Sequence, residues 1–317
     1  MSQEYAVIGG AGFIGSHISE FLIKNGKSIT VIDNFCSGTI GHLDKIIKDP
    51  KFQIKELDVE NTGKLCEAIK GSRVVIHLAS NPDIAKAANE PRIDFTQGTV
   101  LTESVVEAVR ITKVAKILFA SGSGVYGDAG QTLLSESSLP NPISTYGASK
   151  LAGEAIIASY SYMFGIESVA LRFANVVGPK QTHGVGYDFL KRLRNDPTQL
   201  TIMGNGLQCK SYVHVNDVVS AVLSFDKKQK KHFDVYNISN RDSLTVNDVA
   251  EIVFKTLGIN KNSVTIKYTG GAQGWMADVP IVRLDPTKIE NTGWSAKYTS
   301  SEAMLSAINS MNLGYDT

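Results

Sequence analysis

The 317-residue sequence has little of the chemistry that cross-links chains or anchors them in lipid: only three cysteines, Cys36, Cys66 and Cys209, none at CxxC spacing. That scarcity argues against a disulfide framework and a cysteine-ligated zinc site, and makes a reduced, cytoplasmic compartment the simplest expectation. No apolar run approaches the ~18 residues of a membrane span, and the opening "MSQEYAVIGG" lacks a basic segment followed by an apolar one. Excess charge of either sign is also lacking: a net charge of +1 gives no reason to expect nucleic acid or a membrane as partner. The one dense basic run, "KKQKKH" at Lys227–His232, lies between a helical and a strand pattern and reads as a solvated loop. His17, His77 and His214 have no carboxylate or second histidine at ligand spacing, so no metal site is expected. The absence of GxxxxGK[ST] excludes a P-loop nucleotidase, and the absence of a GxSxG elbow argues against a Ser-His-Asp hydrolase.

What is present is ordinary globular composition, 43% hydrophobic and 20% charged, in a chain long enough for a full α/β core with a smaller lobe. Short β-rich apolar runs ("YAVIGG", "SITVID", "FQIKELD", "RVVIHLAS", "KILFAS", "ESVALRF") alternate with amphipathic helical windows at Phe13–Asn25, Gly63–Ile69, Asp94–Ile111 and Tyr146–Phe164. This alternation predicts a doubly wound parallel sheet with helices on both faces, and the low charge inside the strands predicts burial on both sides. After Val177 the rhythm changes to Gly-rich loops, short helices and short strands. We therefore expect a first domain over 1–177 and a smaller mixed α/β lobe over 178–317, with a segment near 211–240 returning to the first.

In "VIGGAGFIGS", Gly9, Gly12 and Gly15 follow a strand and open a helix. Gly9 suits the tight turn, Gly12 a close backbone approach to a diphosphate, and Gly15 close helix packing on the sheet. The helix N-terminus supplies unpaired N–H groups for phosphates. Asp33, at the end of the second strand, can accept hydrogen bonds from the adenosine ribose and would repel a 2′-phosphate, so a dinucleotide site with NAD rather than NADP is expected. Asp58, after the third strand, is placed to reach an adenine amino group or to cap a turn.

In "TYGASK", Tyr146 and Lys150 are four apart in a helical window and share one face. A phenol is a poor base at its ordinary pKa of ~10; a neighbouring ammonium and a positive nicotinamide would move it toward neutrality.

With these residues in place, the chain resembles the extended short-chain dehydrogenase/reductases, and among them the nucleotide-sugar epimerases and dehydratases of the UDP-glucose 4-epimerase type. The resemblance spans nearly the whole chain through "GGAGFIGSH", "DNF", "LDV", "HLAS", "VYGD", "NPISTYGASKLAGE", "LRFANVVGPKQ", "GNGLQCKSYVHVNDVV" and "DVPIVRLDPTKIENTGW". It implies a Rossmann-type fold, a nucleoside-diphosphate sugar substrate, retained NAD and a homodimer built from the Asp94–Ile111 and Tyr146–Phe164 helices. By the same resemblance Gly9, Gly12, Phe13 and Ile14 would line the diphosphate and Asp33 and Asn34 the ribose, with Gly38 also against the cofactor. Asp58 and Val59 would meet the adenine, Leu78, Ala79 and Ser80 would run along the cofactor, and Ala120, Ser121 and Phe173 would lie near the nicotinamide. Tyr146 would be the base, with Lys150 on the nicotinamide ribose. Asn175 would reach the substrate, as would His183 in the Gly-rich loop, and Lys210 stands where the family usually has an Arg for the substrate diphosphate.

Several positions depart from the family pattern. Gly122 stands where the family has a Ser or Thr that bonds the sugar hydroxyl; Ser123 beside it either takes that part or is structural, or a water or Tyr146 alone suffices. Ser123 and Gly124 replace the Asp-Glu pair of the dehydrating members, and no Glu matches the decarboxylating ones, which leaves 4-epimerisation or simple oxidation and reduction. Phe95 replaces a usual Asn. Trp275 replaces a diphosphate Arg and either stacks on the base or packs the lobe; Arg283 is a substitute cation or a surface residue.

Overall fold

The computed structural model describes residues 3–82, 84–226, 231–274 and 278–315. Of the sequence expectations, the basic loop residues 227–230 and Trp275 lie outside the described residues. The chain divides into two compact units. The first comprises Met1–Val125, Pro142–Arg172 and Val219–Tyr236; the second comprises Tyr126–Asn141, Phe173–Val218 and Asn237–Thr317. The division therefore differs from a break at 177: residues 126–141 group with the second unit, and the segment grouped with the first is 219–236.

The first unit is built on strands β1 (Tyr5–Ile8), β2 (Ile29–Asp33), β3 (Phe52–Glu56), β4 (Val74–His77), β5 (Lys116–Gly122), β6 (Glu167–Phe173) and β7 (Phe233–Ile238). They form one seven-stranded sheet in the order β7-β6-β5-β4-β1-β2-β3, the doubly wound arrangement in which strand order reverses between β1 and β4. The β1–β2, β1–β4, β2–β3 and β4–β5 pairs are parallel. The strands β1, β2, β4 and β5 are buried throughout, as their apolar runs predict. Strand β3 departs from that expectation, being buried only at Phe52, because it is the sheet's edge and has one neighbour instead of two.

Helices α1 (Phe13–Lys24), α2 (Thr62–Ile69), α3 (Leu101–Thr112) and α4 (Thr145–Phe164) connect these strands. The helical window expected from Asp94 is not uniform. Phe95–Val100 is a π-helix that runs directly into α3, a wide turn that often marks a functional site. Gly98 in that turn packs on α4: a Cβ there would fall 2.6 Å from Ser149 Oγ. The core joins Ala6, Ile8 and Ile32 of the sheet to Val105, Val109 and Ile157 of the helices.

The second unit has its own core, in which Phe189, Leu190 and Leu193 meet Val253, Phe254, Met304 and Ile308. Its short strands make a four-stranded sheet and two two-stranded sheets, a mixed α/β lobe. Helix Val246–Leu257 begins with a capping box in which Thr245 and Asp248 satisfy each other's backbone. Among the described residues no helix is long and apolar enough to cross a membrane.

Candidate functional site

The glycine turn between β1 and α1 is as tight as its sequence requires. Gly9 has φ of 77°, and a Cβ on it would lie 2.8 Å from the backbone nitrogen of Ala79. The run Leu78–Ser80 after β4 thus passes directly against the turn. No side chain caps α1 at Gly12, so the first-turn amides at Phe13 and Ile14 suit a phosphate. Asp33 is nearly buried at the end of β2; its Oδ2 accepts the Ala11 N–H at 2.9 Å and its Oδ1 the Phe35 N–H at 2.9 Å. One carboxylate therefore braces the glycine turn and still has lone pairs for two ribose hydroxyls. Gly38 is held against it: a Cβ there would come within 3.0 Å of Asp33 Oδ2. Asn34 accepts the Cys36 N–H. Asp58 is exposed and accepts the Glu60 N–H, whereas the Val59 side chain belongs to the core. The turn, the uncapped helix and the carboxylate fit an NAD molecule.

Tyr146 and Lys150 stand on the first two turns of α4. The helix starts where Ser144 accepts the Gly147 N–H at 3.1 Å and stops at Gly165 in the left-handed conformation. Lys150 is buried, donates to the Ala120 carbonyl at 2.8 Å, and lies 5.5 Å from the centre of the Tyr146 ring. Burial lowers Lys150 to about 8, while the charges of Asp94 and Glu154 hold it up. Burial first and the negative charge of Asp94 second push the Tyr146 phenol up to about 12, with the Ser80 side chain acting in the other direction.

Asp94 was not singled out by the sequence, yet it is buried to 1% exposure and ties two site segments together. Its Oδ1 accepts from Asn81 Nδ2 at 2.9 Å and its Oδ2 from Thr145 Oγ1 at 2.7 Å. Glu154 was missed likewise: it receives Arg172 through two bonds of 2.9 and 2.6 Å and Ser121 Oγ at 2.5 Å. The Ser121 hydroxyl is thus turned onto Glu154. Single carboxylates in helical windows, with partners tens of residues away, carry no spacing signal. Ser123 opens the short 3₁₀ turn Ser123–Tyr126 after Gly122, half-buried. Phe95 is 53% exposed, so the usual Asn has been replaced by a surface residue and not by a buried one.

His77, the last residue of β4, takes the structural reading given to it. It is fully buried, bonds Thr102 Oγ1 through Nε2 at 3.1 Å, and has no partner for Nδ1 among the described residues. Burial, reinforced by the charge of Lys150, lowers its pKa from 6.5 to about 3. Between those values the unfolded chain binds a proton that the folded chain refuses, so stability is complete above pH 6.5 and falls as pH drops toward 3. The loss amounts to about 5 kcal/mol at full extent. We expect His77→Asn to flatten the acid side of the stability curve measured by urea unfolding; an unchanged slope would contradict this.

Phe173, Asn175, His183, Lys210 and Arg283 belong to the second unit. Phe173 is buried and Asn175 begins the strand Asn175–Val177, which pairs in parallel with Tyr212–His214. Lys210 is engaged by Asp278: the two atoms are 2.7 Å apart, and Asp278 also accepts the Gly274 N–H. His183 is exposed in the loop, where its carbonyl accepts from Gln181. Arg283 is exposed on Ile281–Leu284 and reaches the Gln131 carbonyl at 3.4 Å. Among the described residues no group of three or more His, Cys, Asp or Glu could hold a metal ion.

Comparison with known proteins agrees with this geometry. The profile of the NAD dependent epimerase/dehydratase family matches residues 5–239. A solved UDP-galactose 4-epimerase is 36% identical, with a TM-score of 0.87 over 98% of this chain and 99% of its own. The UDP-glucose 4-epimerase of Thermotoga maritima, solved with UDP-glucose, is 29% identical at a TM-score of 0.87 over 98% and 99%. The dTDP-D-glucose 4,6-dehydratase of Dictyostelium discoideum is 31% identical over 78% of this chain and 61% of its own. The chain belongs to the NAD-dependent epimerase/dehydratase family, and its cofactor is NAD.

Proposed function

We propose that the protein is a 4-epimerase of a nucleoside-diphosphate sugar, working through a transient 4-keto sugar with Tyr146 as the base. The observation that carries this reading is the Tyr146–Lys150 pair, with its ammonium fixed on the Ala120 carbonyl in the same unit as the glycine turn and Asp33. Gly9, Gly12, Phe13 and Ile14 would hold the diphosphate of NAD, Asp33, Asn34 and Gly38 its ribose end, and Asp58 and Val59 its adenine. Bound NAD supplies a hydride acceptor and donor. Tyr146 takes the proton of the sugar 4-hydroxyl and later returns it, while the Lys150 ammonium favours the phenolate electrostatically. Leu78, Ala79, Ala120, Ser121 and Phe173 would line the cofactor, the last three near the nicotinamide.

The substrate diphosphate falls to Lys210, with Asn175 and His183 as further contacts. Lys210 is a point charge already shared with Asp278, so its grip is weaker than a bidentate Arg would give. Arg283, which reaches a loop carbonyl, is a secondary cation. The likeness to enzymes named for UDP-galactose and UDP-glucose supports a 4-hydroxyl as the reacting group. Elimination of water is disfavoured because Ser123 and Gly124 offer no acid–base pair. A homodimer through α3 and α4 completes the proposal, and a monomeric mass in sedimentation would remove that part.

The test is incubation of the purified protein with UDP-, GDP- and dTDP-sugars without added cofactor, with products read by proton NMR. A C4 epimer is the expected product, and Lys210→Ala should raise KM about tenfold, a loss of the size of one charge-assisted contact. Product formed only with added reduced cofactor would replace the epimerase with a reductase, and no product would overturn the reading.

A further inference from the structure

Strand β5 ends beside α4, and consecutive residues of the strand are bonded to the helix there. Lys150 Nζ donates to the Ala120 carbonyl at 2.8 Å, and Ser121 Oγ donates to Glu154 Oε1 at 2.5 Å. Lys150 and Glu154 are one turn apart and share a face of α4. Arg172 on β6 completes the second of these links, with Nε on Glu154 Oε1 at 2.9 Å and Nη2 on Oε2 at 2.6 Å. Ser121, Lys150, Glu154 and Arg172 are all buried. A carboxylate that receives a guanidinium in this forked way is held in one orientation, so the serine bound to it is held too. The strand end needs such a tie, because β5 finishes at Gly122 and runs through Ser123 into Gly124, and glycines restrain the backbone least. Farther along, the same stretch meets α4 backbone to backbone: a Cβ on Gly147 would lie 2.2 Å from the Gly124 carbonyl oxygen.

We propose that Glu154 is a positioning residue for Lys150: clamped by Arg172, it draws Ser121 onto α4 and so keeps the Ala120 carbonyl against the Lys150 ammonium. This rests on Lys150 serving Tyr146 in the reading above. A buried ammonium depends on its hydrogen-bond acceptors, because water is not there to replace them. Loosening the strand end takes the Ala120 carbonyl away and leaves desolvation to favour the neutral amine, which can no longer support a phenolate. The Ser121 hydroxyl is spent on the clamp and is not the group that bonds the sugar hydroxyl. No proton changes hands within the clamp. The titratable and charged groups around Lys150 are Asp94 before the π-helix, Tyr146 and Glu154 on α4, and His77 on β4, with Arg172 of β6 bound to Glu154.

The test is a titration of Lys150 by NMR in the NAD-loaded protein made with isotope-labelled lysine, its resonance identified by its loss in Lys150→Met, alongside kinetics. Removing one partner of a buried ion pair leaves the other charge uncompensated, so Ser121→Ala, which spares the pair, is the deciding variant. In it the Lys150 midpoint should fall by about one pH unit, up to a tenfold drop in ammonium fraction. The alkaline fall of kcat should begin about one unit lower with it, and KM should stay nearly unchanged. Ser121→Thr, which keeps the hydroxyl, should restore both. Glu154→Gln keeps the shape of the clamp without its charge and should move the midpoint further the same way. Ser161 is buried on the same helix and bonded to Ser168 at 2.6 Å, so Ser161→Ala is the control for general loosening and should leave the midpoint in place. A wild-type midpoint in Ser121→Ala, an equal shift in Ser161→Ala or an upward shift in Glu154→Gln would overturn the proposal. So would a raised KM with unchanged kcat in Ser121→Ala, which would make that serine a sugar contact. The titration needs no substrate, so failure of the epimerase reading would show as a wild type without turnover in which the Ser121 shift persisted.

Discussion

Replacing Tyr146 by Phe should lower kcat by about 10²–10⁴-fold, the range for a positioned acid–base group, while the purified protein keeps its NAD. The substitution deletes one oxygen from a partly exposed ring at the start of α4, so packing changes little. Lys150 retains its bond to the Ala120 carbonyl, and the glycine turn and Asp33 are untouched. Loss of turnover with cofactor in place, measured by product NMR and by NAD released on denaturation, is therefore the expected pair of results. Turnover within a few fold of wild type would refute the role of Tyr146 as base.

Gly15→Ala should do the reverse, removing the cofactor and destabilising the fold together. A Cβ at Gly15 would lie 2.1 Å from the Gly9 carbonyl oxygen and 2.7 Å from the Gly10 Cα. Both are backbone atoms in a turn held on the other side by Ala79, so no side chain can swing away. Helix α1 must move off the turn, and the amides aimed at the diphosphate move with it. The expected cost is about 3 kcal/mol, at the upper end for an overpacked core, together with loss of most of the bound NAD. Gly41→Ala is the control: its Cβ would meet nothing closer than 3.8 Å, and its effect should stay within about 0.5 kcal/mol. Equal melting temperatures and equal NAD content for the two variants would show that the tight turn is not needed.

The parts of the site that were legible in the sequence are those whose partners are close along the chain. Gly9, Gly12 and Gly15 share one turn, Asp33 ends the next strand, and Tyr146 and Lys150 are one helical turn apart. Strand burial was legible from apolar runs except at β3, whose edge position depends on the order of the whole sheet. Asp94 was not legible, because its meaning comes from Asn81 and Thr145, brought to it by the fold from 13 and 51 residues away. The rise of the Tyr146 pKa was hidden for the same reason: the Tyr–Lys spacing names the cation, while burial and the Asp94 charge arise only in three dimensions. The π-helix at Phe95–Val100 has hydrophobic spacing that an α-helix would share, and only its hydrogen bonds separate the two.

The chain passes between its two units five times, after Val125, Asn141, Arg172, Val218 and Tyr236. On a ribosome the nascent chain would emerge with the β1–β6 sheet lacking its last strand until Phe233–Ile238 had been made, leaving one edge of β6 open to wrong pairing in the meantime. Neither unit can be obtained by cutting the gene once, because every single cut leaves each fragment holding pieces of both or too little of one. Such interleaving raises the mean sequence separation of native contacts and slows folding, and it makes any truncation that reaches Phe233–Ile238 a lesion in the seven-stranded sheet as well as in the second unit.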